Sequence, residues 1–366
     1  MIRIDKCTIP NELREIPIVL FGAGYTGRTV VGLLRQIDIV PTYFVDDDEG
    51  KQGEEVEGIP VISYEDFVRF SDQENRVAVI MTSIYGKSIF NRIKGIKSLL
   101  IYELYDWYCE AVDIKQSLYG SVSDELIEDF ADKIEGFKGK WADDKSQKVL
   151  EGICEYIRTM DRKYIIEVCT EEEQYFIPEV IKAINKPLQI IDAGAYEGEL
   201  LQCIRSHNIE LEKWYCFEAD ASNYECLLER GKKYGLGERQ VNINKGLWDK
   251  AQTVYFENEG TGSKIVDYVT GDLIQTVTID EYFRGKPFNF IKMDIEGAEY
   301  PALIGGINTI IDNRPILAVS IYHSMEDYYK IPHFLMEKLD NYSFYVRHHS
   351  LIGSETVLYA IPNENI

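Results

Sequence analysis

The sequence predicts an α/β protein, and three observations lead to this prediction. Short apolar runs alternate with segments of helical spacing at both ends of the chain, as in sheets that are covered by helices. A strand followed by a glycine-rich turn occurs twice, as IVLFGAGYTG at 18–27 and as QIIDAGAYEG at 189–198. Between these two openings, residues 106–185 place apolar side chains at helical spacing and show few strand patterns, which predicts a helical connector.

Length and composition limit the number of domains and exclude several kinds of partner and location. The 366 residues are enough for two or three domains with separate cores. A net charge of −23 would repel a phosphate backbone, so we expect no nucleic-acid partner. No apolar run reaches the roughly 18–20 residues that span a bilayer. The seven cysteines are scattered and form no CxxC motif, which is typical of reduced thiols. We therefore expect a cytoplasmic protein without a membrane span.

We divide the chain into three parts. Residues 1–105 are expected to form a Rossmann-like half domain that binds a nucleotide or nucleotide-sugar, and residues 106–185 the helical connector. Residues 186–366 form the last domain, in which strands are expected at 188–192, 214–218, 241–244, 288–293, 316–322, 342–347 and 356–361. The last two strands look like an antiparallel closing hairpin. This order resembles the class I methyltransferase fold, a mostly parallel seven-stranded sheet.

The first glycine turn, residues 22–27, matches the G-x-G-x-x-G pattern of dinucleotide sites through Gly22, Gly24 and Gly27. Such glycines let the backbone approach a pyrophosphate, and Asp46, at the end of the next strand, is placed to bind a ribose. The stretch has room for only one mononucleotide-binding half, however, and carries no obvious catalytic histidine, lysine or tyrosine. Three interpretations stay open: a packing turn without a ligand, a nucleotide or nucleotide-sugar site, and an NAD(P) site.

The second glycine turn, residues 192–198, differs because Asp192 precedes its glycines. A carboxylate there would oppose a bound pyrophosphate and would suit a positively charged ligand, such as S-adenosylmethionine (SAM). Gly194 and Gly198 would leave space for the methionine and ribose parts. Glu218, at the end of the next strand, can accept hydrogen bonds from both ribose hydroxyls.

The C-terminal region, about residues 170–362, resembles the FkbM family of SAM-dependent methyltransferases. The resemblance rests on a series of segments in order: EEQYFIPEVI (172–181), IDAGAYEGELL (191–201), CFEAD (216–220), NINKGLWD (242–249), GTGSKI (260–265), VTIDEYF (277–283), FIKMDIEGAEYPALIGG (290–306) and RPILAVSIYH (314–323). It implies a class I methyltransferase fold that binds SAM. By position, the cofactor-binding residues would be Asp192, Gly194, Ala195, Tyr196, Gly198, Glu218, Ala219, Gly246, Leu247 and Trp248.

The resemblance also implies a class of acceptor. Members of this family are associated with O-methylation of sugars, glycolipids and polyketide-type metabolites, so we expect methylation of a hydroxyl of a sugar, glycan precursor or other small polar metabolite. The N-terminal stretch, with YFVDDDEGKQGEEVEGIPVIS at 43–63, is similar to the nucleotide-sugar-binding half-Rossmann domain of bacterial sugar N-acetyltransferases. In that resemblance, Asp46 and Asp47 would be the acidic pair that helps to hold the nucleotide.

The predicted catalytic residues are Asp294, Glu296 and His323. Asp294 ends a central strand, at the edge where open α/β sheets bind ligands, and could hold the methionine ammonium, act as a base or ligate a metal. Glu299 could instead serve a helix N-terminus. His323 ends the next strand and is a candidate base, although a strand-end histidine can also be a simple hydrogen-bonding group. Of His348 and His349, we expect one to point toward the site.

The spacing of candidate metal ligands in the sequence gives little indication of a metal site. Two or three carboxylates beside histidines could hold a divalent cation, as in some O-methyltransferases, but there is no compact motif of the HExxH type. We therefore predict no metal, and SAM as the cofactor. Methyl transfer from a sulfonium is an in-line displacement that needs no metal in principle.

Three functions remain possible at this point. The first is a SAM-dependent O-methyltransferase that acts on a small polar or glycosyl acceptor, which could be linked to a nucleotide. The second is a nucleotide-sugar-binding or NAD-dependent sugar-modifying protein that uses the first glycine turn. The third is a non-enzymatic role in which the N-terminal domain is an assembly module. The oligomeric state is not fixed by the sequence, and a homodimer is compatible with it.

Overall fold

The computed structural model describes residues 11–35, 38–82, 86–103, 124–159, 161, 163–257, 264–266, 272–350 and 353–366. The chain forms two compact units, Met1–Ser121 with Ser350–Ile352 and Val122–His349 with Gly353–Ile366. Within the described ranges, no helix has the length and apolar content needed to cross a membrane. Most of the GTGSKI segment, and residues 106–123 of the expected connector, lie outside the described residues.

The first unit is built on a six-stranded sheet of order β3-β4-β2-β1-β5-β6. Only β3 and β4 pair antiparallel. The elements follow a short 3-10 turn at Asn11–Arg14 and are β1 Ile18–Phe21, α1 Tyr25–Arg35, β2 Tyr43–Val45, β3 Glu55–Val56, β4 Ile59–Ile62, α2 Tyr64–Ser71, β5 Val77–Met81, α3 Gly86–Ile93 and β6 Leu99–Glu103. Both faces of the central strands are buried, since Val19 and Leu20 belong to separate apolar clusters. Because both faces of these strands are buried, their sequences are continuous apolar runs without alternating polar residues.

The second unit begins with helices and continues as α/β units. Its elements up to the small sheet are α4 Asp124–Glu135, α5 Asp144–Thr159, α6 Lys163–Val168, α7 Pro178–Ala183, β7 Leu188–Ala193, α8 Leu200–Ser206, β8 Leu211–Phe217, α9 Ala221–Lys233, β9 Gln240–Ile243, β10 Gly246–Leu247, β11 Thr253–Glu257, β12 Lys264–Val266 and β13 Asp272–Val277. The remaining elements are α10 Ile279–Tyr282, β14 Phe290–Met293, α11 Glu299–Ile304, α12 Ile307–Asn313, β15 Ile316–Ser320, α13 Asp327–Lys338, β16 Tyr342–His348 and β17 Thr356–Pro362. Short 3-10 turns lie at Gly237–Arg239 and Asn363–Asn365.

The main sheet of the second unit has seven strands in the order β16-β17-β15-β14-β7-β8-β9. Strands β9, β8, β7, β14 and β15 are parallel, and β17 runs antiparallel to both of its neighbours. The predicted closing hairpin is therefore present, and the prediction of a mixed α/β protein with largely parallel sheets is confirmed. A second sheet of order β10-β13-β11-β12 was not predicted. Its strands are short, and one contains only two residues.

The parallel strands place their carboxyl ends at one edge of the main sheet. Ala193, the last residue of β7, pairs with Phe217 of β8 and with Met293 of β14. The residues that follow these three strands therefore emerge side by side. In open α/β sheets this edge is where ligands bind.

A buried arginine joins the helical part of the second unit to the main sheet. The Arg347 side chain on β16 is 1% exposed and donates to the carboxylates of Asp143 (2.6 Å), Glu172 (3.2 Å) and Glu179 (2.8 Å). Helix α5 also packs against β16, where Ser146 Oγ accepts a hydrogen bond from the Val346 N–H at 2.9 Å. The predicted helices of the connector thus cover the edge of the sheet.

We expect Arg347→Met to lower the free energy of unfolding of the second unit by about 3 kcal/mol, because three carboxylates lose their common cation. The urea midpoint measures this change. Arg158→Met is the matched control: Arg158 forms an exposed pair with Glu155, whose loss should cost less than about 1 kcal/mol. Equal effects of the two substitutions would contradict a structural role for the Arg347 network.

Candidate active site

The second glycine turn lies at the carboxyl end of β7 and has a backbone that favours glycine. Gly194, Tyr196 and Gly198 have φ of 74°, 49° and 85°. A Cβ on Gly194 would lie only 1.8 Å from the Asp294 carbonyl oxygen. The N–H groups of Gly194 and Ala195 both donate to Phe217 O at 3.0 Å. The turn is therefore packed tightly against the ends of β8 and β14.

Asp192 is enclosed below this turn. Its side chain is fully buried; Oδ2 accepts a hydrogen bond from Trp214 Nε1 at 3.0 Å, and Oδ1 lies 3.4 Å from Lys292 Nζ. Lys292 also donates to the carbonyl oxygens of Ala193 and Gly194. The expected contact between the Asp192 carboxylate and a cofactor stays a prediction; in this structure the carboxylate instead holds the lysine that holds the turn.

Lys292 is charged in this setting. Burial by itself would lower the pKa of its ammonium, but the carboxylates of Asp192 and Asp294 outweigh burial, and the pKa is raised. Lys292 lies within the FIKMDIEGAEYPALIGG segment but was not predicted to have a role in the site.

Glu218 is brought directly against the second glycine turn. Its Oε2 accepts a hydrogen bond from the Tyr196 N–H and its Oε1 from the Asp220 N–H, both at 2.8 Å. Burial raises the pKa of the carboxyl, although these two N–H donors oppose the shift. The predicted ribose-binding acid and the predicted methionine-binding turn therefore meet above adjacent strands.

The remaining predicted cofactor residues continue from this point. Asn244 donates through Nδ2 to the carbonyl oxygens of Glu218 and Ala219, which links the end of β8 to the segment after β9. Gly246 and Leu247 form β10, which pairs with β13, and the Trp248 N–H donates to Val277 O at 3.0 Å. Their contact with adenine stays a prediction.

Four charged residues after β14 and β15 form a group that we call the histidine cluster: Asp294, Glu296, Glu299 and His323. His323 Nδ1 lies 3.1 Å from Glu299 Oε1, and His323 Nε2 lies 3.4 Å from Glu296 Oε2 and 3.5 Å from Asp294 Oδ1. The His323 side chain is 10% exposed. The structure therefore brings all three predicted catalytic residues together and adds Glu299.

The carboxylates of Asp294 and Glu299 are fixed in place by donors. Tyr175 donates to Asp294 Oδ2 at 2.7 Å and Tyr322 to Asp294 Oδ1 at 3.3 Å. Glu299 is fully buried and accepts from the N–H groups of Ile295 (2.6 Å) and Gly297 (3.0 Å). Glu299 thus stabilises the turn before α11, and the interpretation that its charge serves the helix N-terminus stays a prediction.

The carboxylates change the properties of His323. Burial alone would lower the pKa of the imidazole, but Glu299, Glu296 and Asp294 outweigh burial and raise it well above its ordinary value. This shift favours the imidazolium form, which has no free ring nitrogen to accept a proton. The role of His323 as a general base stays a prediction, and the cluster offers Asp294 and Glu296 as other acceptors of a proton.

Three further residues reach this site and were not predicted. They are Gln174, Tyr175 and Glu355, of which Tyr175 and Glu355 have a left-handed backbone with φ of 70° and 69°. Gln174 Nε2 donates a hydrogen bond to Glu355 Oε2 at 2.8 Å. Burial, together with the nearby Asp294 carboxylate, raises the pKa of Glu355 to about 7. Tyr175 and Gln174 belong to the quoted EEQYFIPEVI segment, but Glu355 lies in a turn whose sequence carries no signal of a site.

His348, the last residue of β16, and His349, which follows it, have other partners. His348 Nδ1 lies 2.8 Å from Thr356 Oγ1, and His349 Nε2 lies 2.8 Å from Tyr359 Oη. Burial lowers the pKa of His349 to about 4. Both side chains bond to β17, so the expectation that one of them serves the site is not supported by these contacts.

The first glycine turn is held mainly by packing and by Asp46. A Cβ on Gly27 would lie 2.1 Å from Gly22 O, so α1 approaches β1 too closely for any other residue. Asp46 accepts hydrogen bonds from the N–H groups of Ala23 and Asp48, both at 2.9 Å. Asp47 pairs with Arg92 on α3. Gly24 has open space around its Cβ position, and a nucleotide ligand for this turn stays a prediction.

One subset of the histidine cluster has the composition of a metal site. Asp294, Glu299 and His323 each offer a ligand atom, and these three atoms all lie within 4.8 Å of one another. Asp294 and His323 were expected to lie together at this edge of the sheet, and the structure adds Glu299 as the third member of the group.

The chain is similar to known proteins both in its C-terminal region and over most of its length. The family described as Methyltransferase FkbM domain matches residues 192–346. The structure of methyltransferase FkbM from Methylobacillus flagellatus KT is 23% identical, with coverage of 96% of this chain and 94% of that chain and a TM-score of 0.55. This similarity shows a shared fold.

Two further structures are more distant. UDP-D-quinovosamine 4-dehydrogenase from Vibrio fischeri is 22% identical over 30% of this chain and 97% of that chain, with a TM-score of 0.22. The SAH-bound methyltransferase PaMTH1 from Podospora anserina is 14% identical over 66% of this chain and 98% of that chain, with a TM-score of 0.32. No curated protein sequence matches the chain. The expected resemblance of the first unit to sugar N-acetyltransferases is not supported and stays a prediction.

The contact between Lys292 and Asp192 can be tested with a double-mutant cycle. We expect Lys292→Met to cost about 3–5 kcal/mol of stability, because it leaves a buried carboxylate without its cation. Adding Asp192→Asn removes that charge and keeps an acceptor for Trp214, so the double variant should be more stable than Lys292→Met alone. The urea midpoints of the four proteins measure the coupling, and additive effects would show that the two side chains do not depend on each other.

Proposed function

We propose that residues 186–366 form a SAM-dependent methyltransferase domain that methylates a hydroxyl group of a small polar or glycosyl acceptor. The observation that carries this proposal is the hydrogen bond between Glu218 and the Tyr196 N–H, which joins a strand-end acid to a glycine turn above adjacent strands. The match of residues 192–346 to a methyltransferase domain supports it.

The charges at the sheet edge suit SAM better than a nucleotide phosphate. Glu218 uses one lone pair of each carboxylate oxygen for a backbone N–H, and a carboxylate has about four acceptor positions, so positions remain for a ribose diol. The carboxylates of the histidine cluster favour a ligand with a sulfonium and an ammonium, and they oppose a pyrophosphate. The sequence suggested this role for Asp192, but its carboxylate is buried against Trp214 and Lys292, so we propose Asp294 and Glu296 for it instead.

The chemistry that we propose is an in-line displacement. The acceptor oxygen forms a bond to the methyl carbon while the sulfur–carbon bond breaks, and the sulfur keeps the electron pair, which gives S-adenosylhomocysteine (SAH). The hydroxyl proton passes to a carboxylate of the histidine cluster. Positioning of the two reactants contributes up to roughly 7–11 kcal/mol in such reactions, and a positioned base contributes roughly 10²–10⁴-fold.

The acceptor class follows from the same charges. A negatively charged cluster disfavours an acceptor that carries phosphate or carboxylate next to the reacting atom. A neutral hydroxyl beside the phenols of Tyr175 and Tyr322 avoids this repulsion. This supports a sugar or another polyhydroxylated metabolite as the acceptor.

For the first unit we propose a binding role and no chemistry. The parallel sheet and the close packing of Gly27 against Gly22 support a Rossmann-like half domain, in which a nucleotide-linked sugar would bind. Because Asp46 caps the turn itself, Gly24 and the exposed Asp47 are the residues that we expect a ligand to meet.

Titration calorimetry with SAH tests the proposal. We expect the intact chain to bind SAH, and Glu218→Gln to weaken binding by roughly 10–100-fold, since a ribose diol loses a charged acceptor worth about 1.5–3 kcal/mol. Glu212→Gln, at an exposed position of the same strand, is the matched control and should bind like the wild type.

The thermal midpoint of Glu218→Gln has to be measured alongside, because Glu218 also holds two backbone N–H groups. A folded wild-type protein that gives no binding heat and no thermal shift with SAH would rule out the proposed cofactor.

A further inference from the structure

We infer that Asp294, Glu299 and His323 form a binding site for one divalent transition-metal cation. One ligand atom from each residue lies within 4.8 Å of the other two. In an octahedral site, ligand atoms at about 2.1 Å from the ion are about 3 Å apart when adjacent and about 4.2 Å apart when opposite. The three side chains are therefore already at the separations that a shared cation requires, with small adjustments.

His323 supplies an independent indication of a missing partner. Its side chain is nine-tenths buried, and neither ring nitrogen has a hydrogen-bond partner of acceptable geometry. The carboxylate oxygens of Glu299 and Asp294 lie 3.1 and 3.5 Å from the ring nitrogens without completing such a bond. Buried polar atoms of this kind are rare in proteins, and a cation held between the carboxylates and one ring nitrogen would satisfy that nitrogen.

The groups around the three ligands match the second layer of a metal site. Ligating carboxylates in proteins are usually held by hydrogen bonds that fix their orientation. Here Tyr175 and Tyr322 donate to Asp294, and the N–H groups of Ile295 and Gly297 donate to Glu299. The two carboxylates are thus oriented by the protein before any ion binds.

The donor set indicates the type of ion. Two carboxylate oxygens and one imidazole nitrogen suit Mn²⁺, Fe²⁺ or Zn²⁺ better than Ca²⁺, which takes oxygen ligands alone. Three protein ligands leave positions for an acceptor oxygen. If the proposed methyl transfer is correct, which this role rests on, a cation here would bind the acceptor hydroxyl and make its proton easier to remove.

Binding of Mn²⁺ to the chelator-treated intact chain, followed by the EPR signal of the free ion, tests the site. In moderate salt, which screens surface carboxylates, we expect one tight site per chain. His323→Gln should weaken it by at least roughly tenfold. His333→Gln is the matched control, because His333 is exposed on α13, and it should leave the affinity unchanged.

Pulsed EPR of the Mn²⁺-loaded wild type gives a second readout that does not depend on a folded variant: it should show coupling to one imidazole nitrogen. Absence of that coupling, absence of a tight site for Mn²⁺, Fe²⁺ and Zn²⁺, or equal affinity in a folded His323→Gln variant would each overturn the inference. SAH binding is measured on the same protein. If the chain binds SAH but binds none of the three metal ions tightly, only the metal site is contradicted. If it binds a metal ion but does not bind SAH, only the proposed cofactor is contradicted.

Discussion

The buried pair of Lys292 and Asp192 is the interaction on which the rest of the site depends. A lysine in the centre of a sheet is costly unless its charge is compensated. Here Asp192 compensates it at 3.4 Å, and the carbonyl oxygens of the second glycine turn accept its hydrogen bonds. The Tyr175 ring lies 5.4 Å from the ammonium. The Lys292 ammonium on β14 thus holds the turn after β7, and this turn contacts Glu218 through the Tyr196 N–H.

Above that pair, the sheet edge separates two kinds of chemistry. Toward β8, Glu218 and the second glycine turn offer acceptors and backbone suited to a nucleoside. Toward β15, carboxylates surround a single buried imidazole, and Tyr175 and Tyr322 hold Asp294 between the two halves. A positively charged methyl donor at the boundary would meet the negative charge, while the hydroxyl of an acceptor would meet the groups that bind its proton. This division is the reason for which we propose methyl transfer to oxygen.

Much of this arrangement could be predicted from the sequence, because strand-end residues of parallel strands meet at one edge. Asp294, Glu296 and His323 were expected together for that reason, and so were Glu218 and the second glycine turn. The exact environment of each acid could not be predicted, because the direction of a side chain at a strand end depends on its neighbours. Asp192, for example, is buried against Trp214 and Lys292. Glu355 was missed because it lies in a turn. In the small second sheet, β10 and β12 have only two and three residues, which is too short to show a period.

Amide hydrogen exchange of the intact chain with and without SAH tests the central claim, that the edge above β7 and β8 binds the cofactor. The account predicts slower exchange at residues 193–198 and 218–220 when SAH is present, and unchanged exchange at residues 18–50, which include the first glycine turn. Protection confined to residues 18–50, or no protection in either segment, would contradict it.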